Sequence, residues 1–404
     1  MSLFCSPPLA LYVHFPWCVR KCPYCDFNSY TLHGELPQQP YLERLARDLE
    51  AQAPKVIGRE VISVFFGGGT PSLFSPRSIA CVLETVRRVL KLVADAEVTL
   101  EANPGAIERG AFGEYRAAGV TRVSLGAQSF DPARLAALGR IHSPAETRRA
   151  AGELHAAGLD NFNLDLMYAL PGQELAGAVR DVEEALALAP RHLSHYQLTL
   201  EPGTPFAAQP PLLPDEDLAA AMLEECGERL TATGFGRYEV SAWARAGTQC
   251  RHNLNYWNFG DYLGIGAGAH GKLTFPASGR IVRTAHPREP RRYLAAGETD
   301  LNCRAIEHDE LPFEFMLNAL RLTEGFAAAA FRERTGLPWE VIERPIAAAL
   351  ERGLLERSGD RYRPSANGLR FLNELLLEFL PEKPKNAGAS ALSMVTLEAR
   401  ADIA

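Results

Sequence analysis

The stretch His14-Phe-Pro-Trp-Cys18-Val-Arg-Lys-Cys22-Pro-Tyr-Cys25-Asp-Phe27 places three cysteines on one short segment, at the spacing C-x3-C-x2-C. Cysteine thiolates are the usual ligands of iron–sulfur clusters, and a closely spaced set can hold a single cluster. Three ligands for a four-iron cluster leave one iron open to a small molecule. The stretch therefore predicts a [4Fe-4S] cluster held by Cys18, Cys22 and Cys25, with chemistry at the open iron.

Two other kinds of cysteine site fit this spacing less well. A disulfide framework favours an even number of cysteines in an oxidising compartment. A structural zinc site needs a fourth Cys or His at finger spacing, and none follows Cys25 before His33. The other cysteines are scattered, and we interpret them as buried or surface thiols: Cys5, Cys81, Cys226, Cys250 and Cys303.

The composition argues against several function classes. The chain has 404 residues, of which 47% are hydrophobic, enough for one large core and a smaller module. Its net charge is −7 and no basic stripe stands out, so nucleic acid is not an expected partner. No stretch reaches the length of a membrane span, and the first residues lack the basic region of a secretory signal. With eight cysteines, these features predict a reducing, cytoplasmic setting.

Short apolar runs alternate with longer helical patterns through the first half of the chain. Repeated βα alternation implies a parallel sheet with right-handed crossovers. Six such units are too few to close an eight-stranded barrel. The sequence therefore predicts an α/β fold, a partial (β/α)6 barrel with its functional groups at the carboxyl ends of the strands. The predicted strands are 9–15, 61–66, 97–101, 122–127, 161–167 and 192–199, and the helices between them 41–53, 76–93, 107–118, 144–157 and 174–188.

The character of the sequence changes after the predicted barrel, which we assign to residues 1–240. Residues 241–305, rich in His and aromatic side chains, are predicted to connect and to pack on the barrel. Helical patterns and a hairpin at 353–363 predict a small C-terminal α-helical, winged-helix-like domain over 306–380. Its helices mix acidic and basic residues, which favours partner docking over DNA binding. Residues 381–404 are predicted to form a flexible tail.

Polar groups follow the predicted strands, where ligands collect in this fold. A glycine run, Gly67-Gly-Gly-Thr70, comes directly after the second strand, and glycines let a backbone approach a ligand closely. Glu101, Arg140 and Asp165 lie in or after later strands. Each has a structural alternative, as a helix cap, a solvated ion pair or a buried turn former. Jointly, acids and a guanidinium suit a zwitterionic, ribose-bearing ligand.

Together these motifs resemble the coproporphyrinogen-oxidase-like branch of the radical S-adenosylmethionine (SAM) superfamily, and more narrowly its heme chaperones. The resemblance extends through Glu101-Ala-Asn-Pro104, Gly126-Ala-Gln-Ser-Phe130, Gly139-Arg-Ile-His142 and Asp165-Leu-Met-Tyr168. It implies that Cys18, Cys22 and Cys25 hold the cluster. It also implies contacts to SAM from Tyr12, Tyr24, Gly68, Gly69, Thr70, Glu101, Gln128, Arg140 and Asp165.

Two departures separate the chain from the oxidase. The oxidase motif continues to a fourth cysteine two residues on, where this chain has Phe27, and the oxidase carries a longer arm before its cysteines. The resemblance therefore implies a chaperone that binds heme and passes it to an acceptor hemoprotein. The alternatives are a radical SAM oxidase or decarboxylase acting on coproporphyrinogen III or a related tetrapyrrole, and an iron–sulfur binder without turnover.

The segment from Cys250 to Trp257 supplies a candidate heme site. Heme binding needs an axial donor, most often His, and flat aromatic surface. His252 with Tyr256 and Trp257 supplies both, in an H-N-x-x-Y-W pattern shared with the family, although a structural loop would use the same residues. Cys250 and His270 are rival ligands. The resemblance also implies an electron donor such as a flavodoxin or ferredoxin, and transient contact with membrane-bound heme acceptors.

Overall fold

The computed structural model describes residues 4–105, 112–297 and 300–381. The first half of the described chain alternates strands and helices. Its strands are β1 (Leu9–Phe15), β2 (Trp17–Cys18), β3 (Tyr30–Thr31), β4 (Glu60–Gly68), β5 (Lys91–Ala102), β6 (Arg122–Gln128), β7 (Phe162–Tyr168) and β8 (His192–Gln197). Its helices are α1 (Gln38–Gln52), α2 (Pro76–Val89), α3 (Phe112–Ala118), α4 (Pro132–Ala137), α5 (Pro144–Ala156), α6 (Leu175–Ala187), α7 (Pro205–Ala208) and α8 (Glu216–Ala232).

The second half adds further strands and a helical C-terminal region. Its strands are β9 (Gly236–Glu239), β10 (Ala242–Ala244), β11 (Asp261–Ile265), β12 (His270–Phe275), β13 (Arg280–Ala285), β14 (Asn302–Ala305), β15 (Phe326–Ala327), β16 (Leu355–Ser358) and β17 (Arg361–Pro364). Its helices are α9 (Arg251–Trp257), α10 (Pro290–Ala295), α11 (Leu311–Ala319), α12 (Ala328–Thr335), α13 (Glu340–Glu351), α14 (Ala366–Arg370) and α15 (Leu372–Leu377).

One large sheet organises the molecule. Six parallel strands follow each other in chain order across it, from β1 through β4, β5, β6 and β7 to β8. Strand β11 pairs in parallel with the other side of β1, and β12, β13 and β14 continue antiparallel from there. The antiparallel pair β10 and β9 lies beyond β8. The sheet stays open, which confirms the predicted partial barrel.

Burial explains why these segments are strands. Every residue of β1 and of β6 is buried, as expected for parallel strands covered on both faces. Side chains cap several helices: Ser75 accepts the Ser78 amide at the start of α2, and Ser143 forms a reciprocal capping box with Glu146. The helix predicted over 76–93 ends earlier, at Val89, because Lys91 already pairs with Glu60 in the sheet. In the helix predicted over 107–118, residues 107–111 lie outside the described residues.

Residues 306–380 contribute most of a second, smaller apolar core, which also includes Phe259 and Ile281. A three-stranded antiparallel sheet in the order β15–β17–β16 packs with helices α11 to α13, which confirms the predicted helical domain with a hairpin. The last helical segment of this domain is divided at Phe371 into α14 and α15. The predicted tail, 381–404, lies outside the described residues apart from Pro381. No helix in the described ranges combines the length and the apolarity that a bilayer crossing requires.

Candidate functional site

The three cysteines lie just past the carboxyl end of β1: Cys18 ends β2, and Cys22 and Cys25 lie between β2 and β3. All three are free thiols and half-buried, and the amide of Cys25 donates to the carbonyl of Cys22 at 3.2 Å. Burial raises the pKa of the Cys18 thiol to about 11, and burial also raises that of Cys25. Bringing these thiols to the thiolate state at neutral pH therefore requires nearby positive charge, which iron supplies.

The donor set fits a cluster better than a single ion. In the described part of the chain, no three His, Cys, Asp or Glu side chains converge on one point as a mononuclear metal site requires. A four-iron cluster does not need this convergence, because each thiolate binds a different iron. The spacing on one loop, with three soft sulfur donors and no carboxylate or imidazole between them, suits iron–sulfur chemistry.

The glycine segment at the end of β4 packs directly on the start of the cysteine loop. The amide of Gly69 donates to the carbonyl of Phe15 at 2.7 Å, and that of Thr70 donates to the carbonyl of Trp17 at 2.8 Å. A Cβ at Gly69 would lie 2.6 Å from the Trp17 oxygen, a backbone atom that has little freedom to move. Gly68 has a φ of 111°, which favours glycine. Backbone geometry therefore fixes the glycines here.

Arg140 connects the cysteine loop to two neighbouring strand ends. Its guanidinium donates to Cys22 Sγ at 3.7 Å, to the Gly126 carbonyl at 2.9 Å and to Asn103 Oδ1. Burial lowers the pKa of Arg140, but the neighbouring Tyr24 and Cys22 raise it overall. Asn103 in turn donates to Thr70 Oγ1 at 2.9 Å. A chain of polar contacts thus runs from the cysteines to the glycine segment.

Two buried carboxyl groups interact across the sheet, Glu101 near the end of β5 and Asp165 in the middle of β7. Glu101 Oε2 accepts the amide of Gly68 at 3.0 Å, while Asp165 accepts from Asn163 at 2.7 Å and Ser124 at 3.2 Å. Burial, and then repulsion from Asp165, raises the pKa of Glu101 to about 8. Burial also raises the pKa of Asp165. The pair would bind a cationic or hydroxyl-rich ligand, because such a ligand relieves the repulsion.

Helix α9 covers the polar inner face of the sheet below these carboxyl groups. Glu97 of β5 accepts the amides of Arg251 and His252 at 3.0 Å each, so an acid holds the start of the helix. His252 is 1% exposed, and its ring contacts Ser63 Oγ at 3.0 Å and the Tyr256 hydroxyl at 2.8 Å. Burial lowers the pKa of His252 to about 3, so the imidazole is neutral.

A cleft of about 680 Å³ opens above this interior, within the range of small-molecule sites. Strand ends contribute Tyr12, Gly68 and Glu101 to its lining, and the segment after the last cysteine contributes Asp26, Phe27 and Asn28. Helix α9 contributes Tyr256. The far wall comes from β12, β13, β14 and adjoining loops, including His270, Arg283, Arg288 and Arg304. The cleft thus lies between the cysteine loop and the part of the sheet formed by residues 261–305.

The predicted SAM residues lie towards one edge of the sheet, but only some of them line the cleft. Tyr12, Gly68 and Glu101 line the cleft, while Tyr24 packs towards Phe206, with ring centroids 6.4 Å apart. The side chain of Gln128, at a φ of 65°, accepts the Tyr196 hydroxyl at 2.8 Å. The remaining members of the set lie outside the cleft lining: Gly69, Thr70, Gln128, Arg140 and Asp165.

Of the predicted heme residues, only Tyr256 lines the cleft. His252 lies one helical turn below it, and Trp257 is buried with the Arg321 guanidinium 4.3 Å from its ring centroid. Of the two rival ligands, His270 lines the cleft, whereas Cys250 is buried and donates to Glu97 at 3.4 Å.

Sequence reasoning missed Asn28. Its side-chain amide donates to the carbonyls of Ala267 and Arg288 at 2.9 Å each, and its own carbonyl contacts His14 Nε2 at 2.9 Å. The residue therefore clamps the end of the cysteine loop to the far wall of the cleft. A Cβ on Gly268 would lie 2.2 Å from the side-chain amide nitrogen of Asn28, so glycine at this position leaves room for the Asn28 side chain. The only sequence signal was its place three residues after Cys25.

Sequence profiles and relatives agree on most of the chain. A profile of the radical SAM superfamily matches residues 12–186, and a profile of the HemN C-terminal domain matches residues 306–371. The Escherichia coli protein named heme chaperone HemW is 49% identical over 376 residues, covering 93% of this chain and 99% of that protein. A Mycobacterium tuberculosis protein of the same name is 40% identical over 370 residues, covering 88% and 90%.

Among solved structures, the chain is similar to the radical SAM enzyme coproporphyrinogen III oxidase, HemN, from Escherichia coli. The TM-score is 0.77 over 93% of this chain and 90% of that one, with 22% sequence identity. At that identity the likeness concerns the fold, including the open sheet and the C-terminal domain.

Proposed function

This chain belongs to the HemW family of heme chaperones within the radical SAM superfamily, and we propose that it binds heme, a [4Fe-4S] cluster and SAM and delivers heme to an acceptor hemoprotein. The observation that carries the proposal is the cleft described above. It joins the cysteine loop to an aromatic and basic wall, so a cluster and a flat macrocycle would be neighbours.

In this proposal Cys18, Cys22 and Cys25 hold the cluster and the strand ends hold SAM. Gly68, Gly69 and Thr70 offer closely approaching backbone and a hydroxyl, and Glu101 and Asp165 offer carboxylates. Tyr12, Tyr24, Gln128 and Arg140 complete the set proposed to surround SAM. The bound cluster and SAM would supply one-electron chemistry; the chain's residues orient the ligands and limit access of water.

The heme is proposed to lie in the cleft above Tyr256. Aromatic side chains give flat surface to a macrocycle, and Tyr12, Phe27 and Tyr256 provide it here. The sequence-based choice of His252 as axial donor stays a prediction. The geometry favours His270, because it lines the cleft, whereas His252 is buried one helical turn below it.

Phe27 supports heme binding over porphyrinogen oxidation. It stands where the oxidase motif has a fourth cysteine, it lines the cleft, and its side chain is 41% exposed. An apolar ring at this position offers contact area to a macrocycle, and it replaces the thiol of the oxidase motif.

The test is anaerobic reconstitution of the cluster followed by two assays on the same preparation. Titration with hemin should give a saturable Soret shift near one heme per chain. Incubation with coproporphyrinogen III, SAM and a reductant should give no protoporphyrinogen IX at enzymatic rates. Turnover in the second assay would replace the chaperone proposal with the oxidase alternative.

Partners follow from the same proposal. The acceptor is a hemoprotein, and the cluster would take electrons from a donor such as a flavodoxin or ferredoxin. Contact with membrane-bound acceptors would be transient, and the protein would act in the cytoplasm. Transfer of heme from the loaded protein to an apo-hemoprotein, followed by absorbance, tests this step.

A further inference from the structure

Two arginines face each other across the outer strands of the sheet. Arg283 of β13 and Arg304 of β14 are direct partners in the antiparallel register, and both line the cleft. Side chains in this relationship point to the same face with Cβ atoms about 4.5–5.5 Å apart. Like charges directly opposite each other destabilise a sheet. A pair of guanidiniums in this position therefore calls for negative charge beside it.

Protein carboxylates supply part of that charge. Arg283 pairs with Glu314 and donates to the Tyr262 hydroxyl at 3.0 Å. Arg304 donates to both carboxylate oxygens of Glu310, at 2.9 and 2.7 Å. The Arg304 side chain is 50% exposed and Glu310 is 35% exposed, so this pair can exchange with a ligand at small cost.

A third arginine extends the same wall. Arg288 follows β13, is exposed and lines the cleft, and its Nε donates to Asn28 Oδ1 at 3.4 Å. Most charges of the cleft are segregated by origin. The arginines come from residues 283–304, whereas three of the acids, Asp26, Glu101 and Glu201, come from the barrel and the fourth, Glu310, is the partner of Arg304.

Resting on the heme-binding function proposed above, we propose that Arg283, Arg288 and Arg304 recognise the two propionate groups of heme. Guanidiniums bind carboxylates with paired, charge-assisted hydrogen bonds. The propionate edge would lie against β13 and β14, and the macrocycle would extend towards Tyr256 and Phe27. The cleft then selects tetrapyrroles that carry free carboxylates.

The test compares hemin with its dimethyl ester, in which both propionates are masked, on the full chain. Wild type should bind hemin about tenfold more tightly than the ester. Arg288→Gln and Arg304→Gln should each weaken hemin binding by about five- to tenfold and leave ester binding unchanged. Arg291→Gln is the matched control, because Arg291 is exposed on α10 and lies outside the lining. It should leave both affinities unchanged.

A second variant separates recognition from structure. Glu310→Gln removes the carboxylate that competes for Arg304 and should tighten hemin binding. Weaker hemin binding in Glu310→Gln would mean that the pair only holds β14 in place, which overturns the role of Arg304. Equal affinity of wild type for hemin and ester, or equal loss of both in the arginine variants, overturns the inference while heme binding stands. Absence of hemin binding by wild type overturns the proposed function itself.

Discussion

The Tyr256 hydroxyl lies 2.8 Å from Nε2 of His252, with the two rings 4.7 Å apart and nearly perpendicular. The two residues are four positions apart on α9, so their side chains lie on the same helical face and the phenol ring covers the imidazole. The Ser63 Oγ lies 3.0 Å from the other ring nitrogen of His252, Nδ1. The imidazole therefore lies beneath Tyr256 and holds it in position, and a ligand in the cleft would contact Tyr256 rather than His252.

This relationship predicts opposite phenotypes for two histidines. His270→Ala should abolish the Soret spectrum of histidine-ligated heme without large loss of stability. His252→Ala should keep that spectrum but lower the free energy of unfolding by about 2–4 kcal/mol. The substitution leaves a cavity and removes the hydrogen-bond partner of the Ser63 and Tyr256 hydroxyls. Hemin titration and urea denaturation measure the two effects. His308→Ala, at an exposed histidine, is the neutral control. The reverse pattern would return the axial position to His252.

We expect Cys22→Ser to abolish the cluster, because two thiolates cannot hold a four-iron site that needs three. Iron and acid-labile sulfide, determined after anaerobic reconstitution, should fall to background. Cys226→Ser and Cys303→Ser serve as controls, one buried and one exposed, and both should retain the cluster. Unchanged iron and sulfide in Cys22→Ser would place the cluster elsewhere.

Asp165→Asn should weaken SAM binding about ten- to hundredfold, since a charge-assisted hydrogen bond in a buried site is lost. Isothermal titration calorimetry on the reconstituted protein measures this change. Asp95→Asn, at a carboxylate whose side chain is 82% exposed, should bind SAM as wild type does. Equal affinities in Asp165→Asn and wild type would remove Asp165 from the SAM site.

The raised pKa of Glu101 gives a pH dependence with a definite sign. In the cofactor-free fold its carboxyl titrates at about 8, above the value of an unfolded Glu, because of burial and then Asp165. The native state therefore binds the proton more tightly, and the Glu101 contribution to stability falls as pH rises from about 5 to 8. Glu101→Gln should lack this decline and exceed wild type by on the order of a few kcal/mol above pH 8. Urea denaturation at pH 5, 7 and 9 measures it.

Glu60→Gln, on the exposed start of the same β4 that Glu101 contacts, is the control and should follow the wild-type pH curve. A Glu101→Gln curve parallel to that of wild type would show that the carboxyl titrates near its ordinary value.

Local patterns predicted the barrel well. The apolar run 9–15 is β1 without a shift, because a fully buried parallel strand favours a nearly continuous apolar sequence. The segment 122–127 is one residue short of β6, in which apolar residues alternate with Arg122, Ser124 and Gly126. The cysteine spacing and the glycine run were also visible, since both depend on neighbours in sequence. The contact between the cysteine loop and the glycine run, at Trp17 and Gly69, follows from the adjacent positions of β1 and β4 in the sheet.

The far wall could not be predicted in the same way. The sequence of residues 241–305 shows mixed aromatic and polar character, and its strands become evident only through their partners in the sheet. The opposition of Arg283 and Arg304 depends on an antiparallel register that local patterning does not determine. The burial of His252 likewise depends on Ser63 and Glu97, which lie 189 and 155 residues earlier in the chain.

The Asn28 clamp has a consequence for biosynthesis. The cysteine loop is synthesised before the carbonyls that hold Asn28, which belong to residues 239 and 260 positions later. At about 5–20 residues per second, that interval lasts roughly 10–50 s. During this time the nascent cysteine loop lacks its anchor, and its thiols are open to oxidation or to adventitious metals. We therefore expect productive cluster insertion to follow completion of the chain, with any carrier that donates the cluster acting after translation.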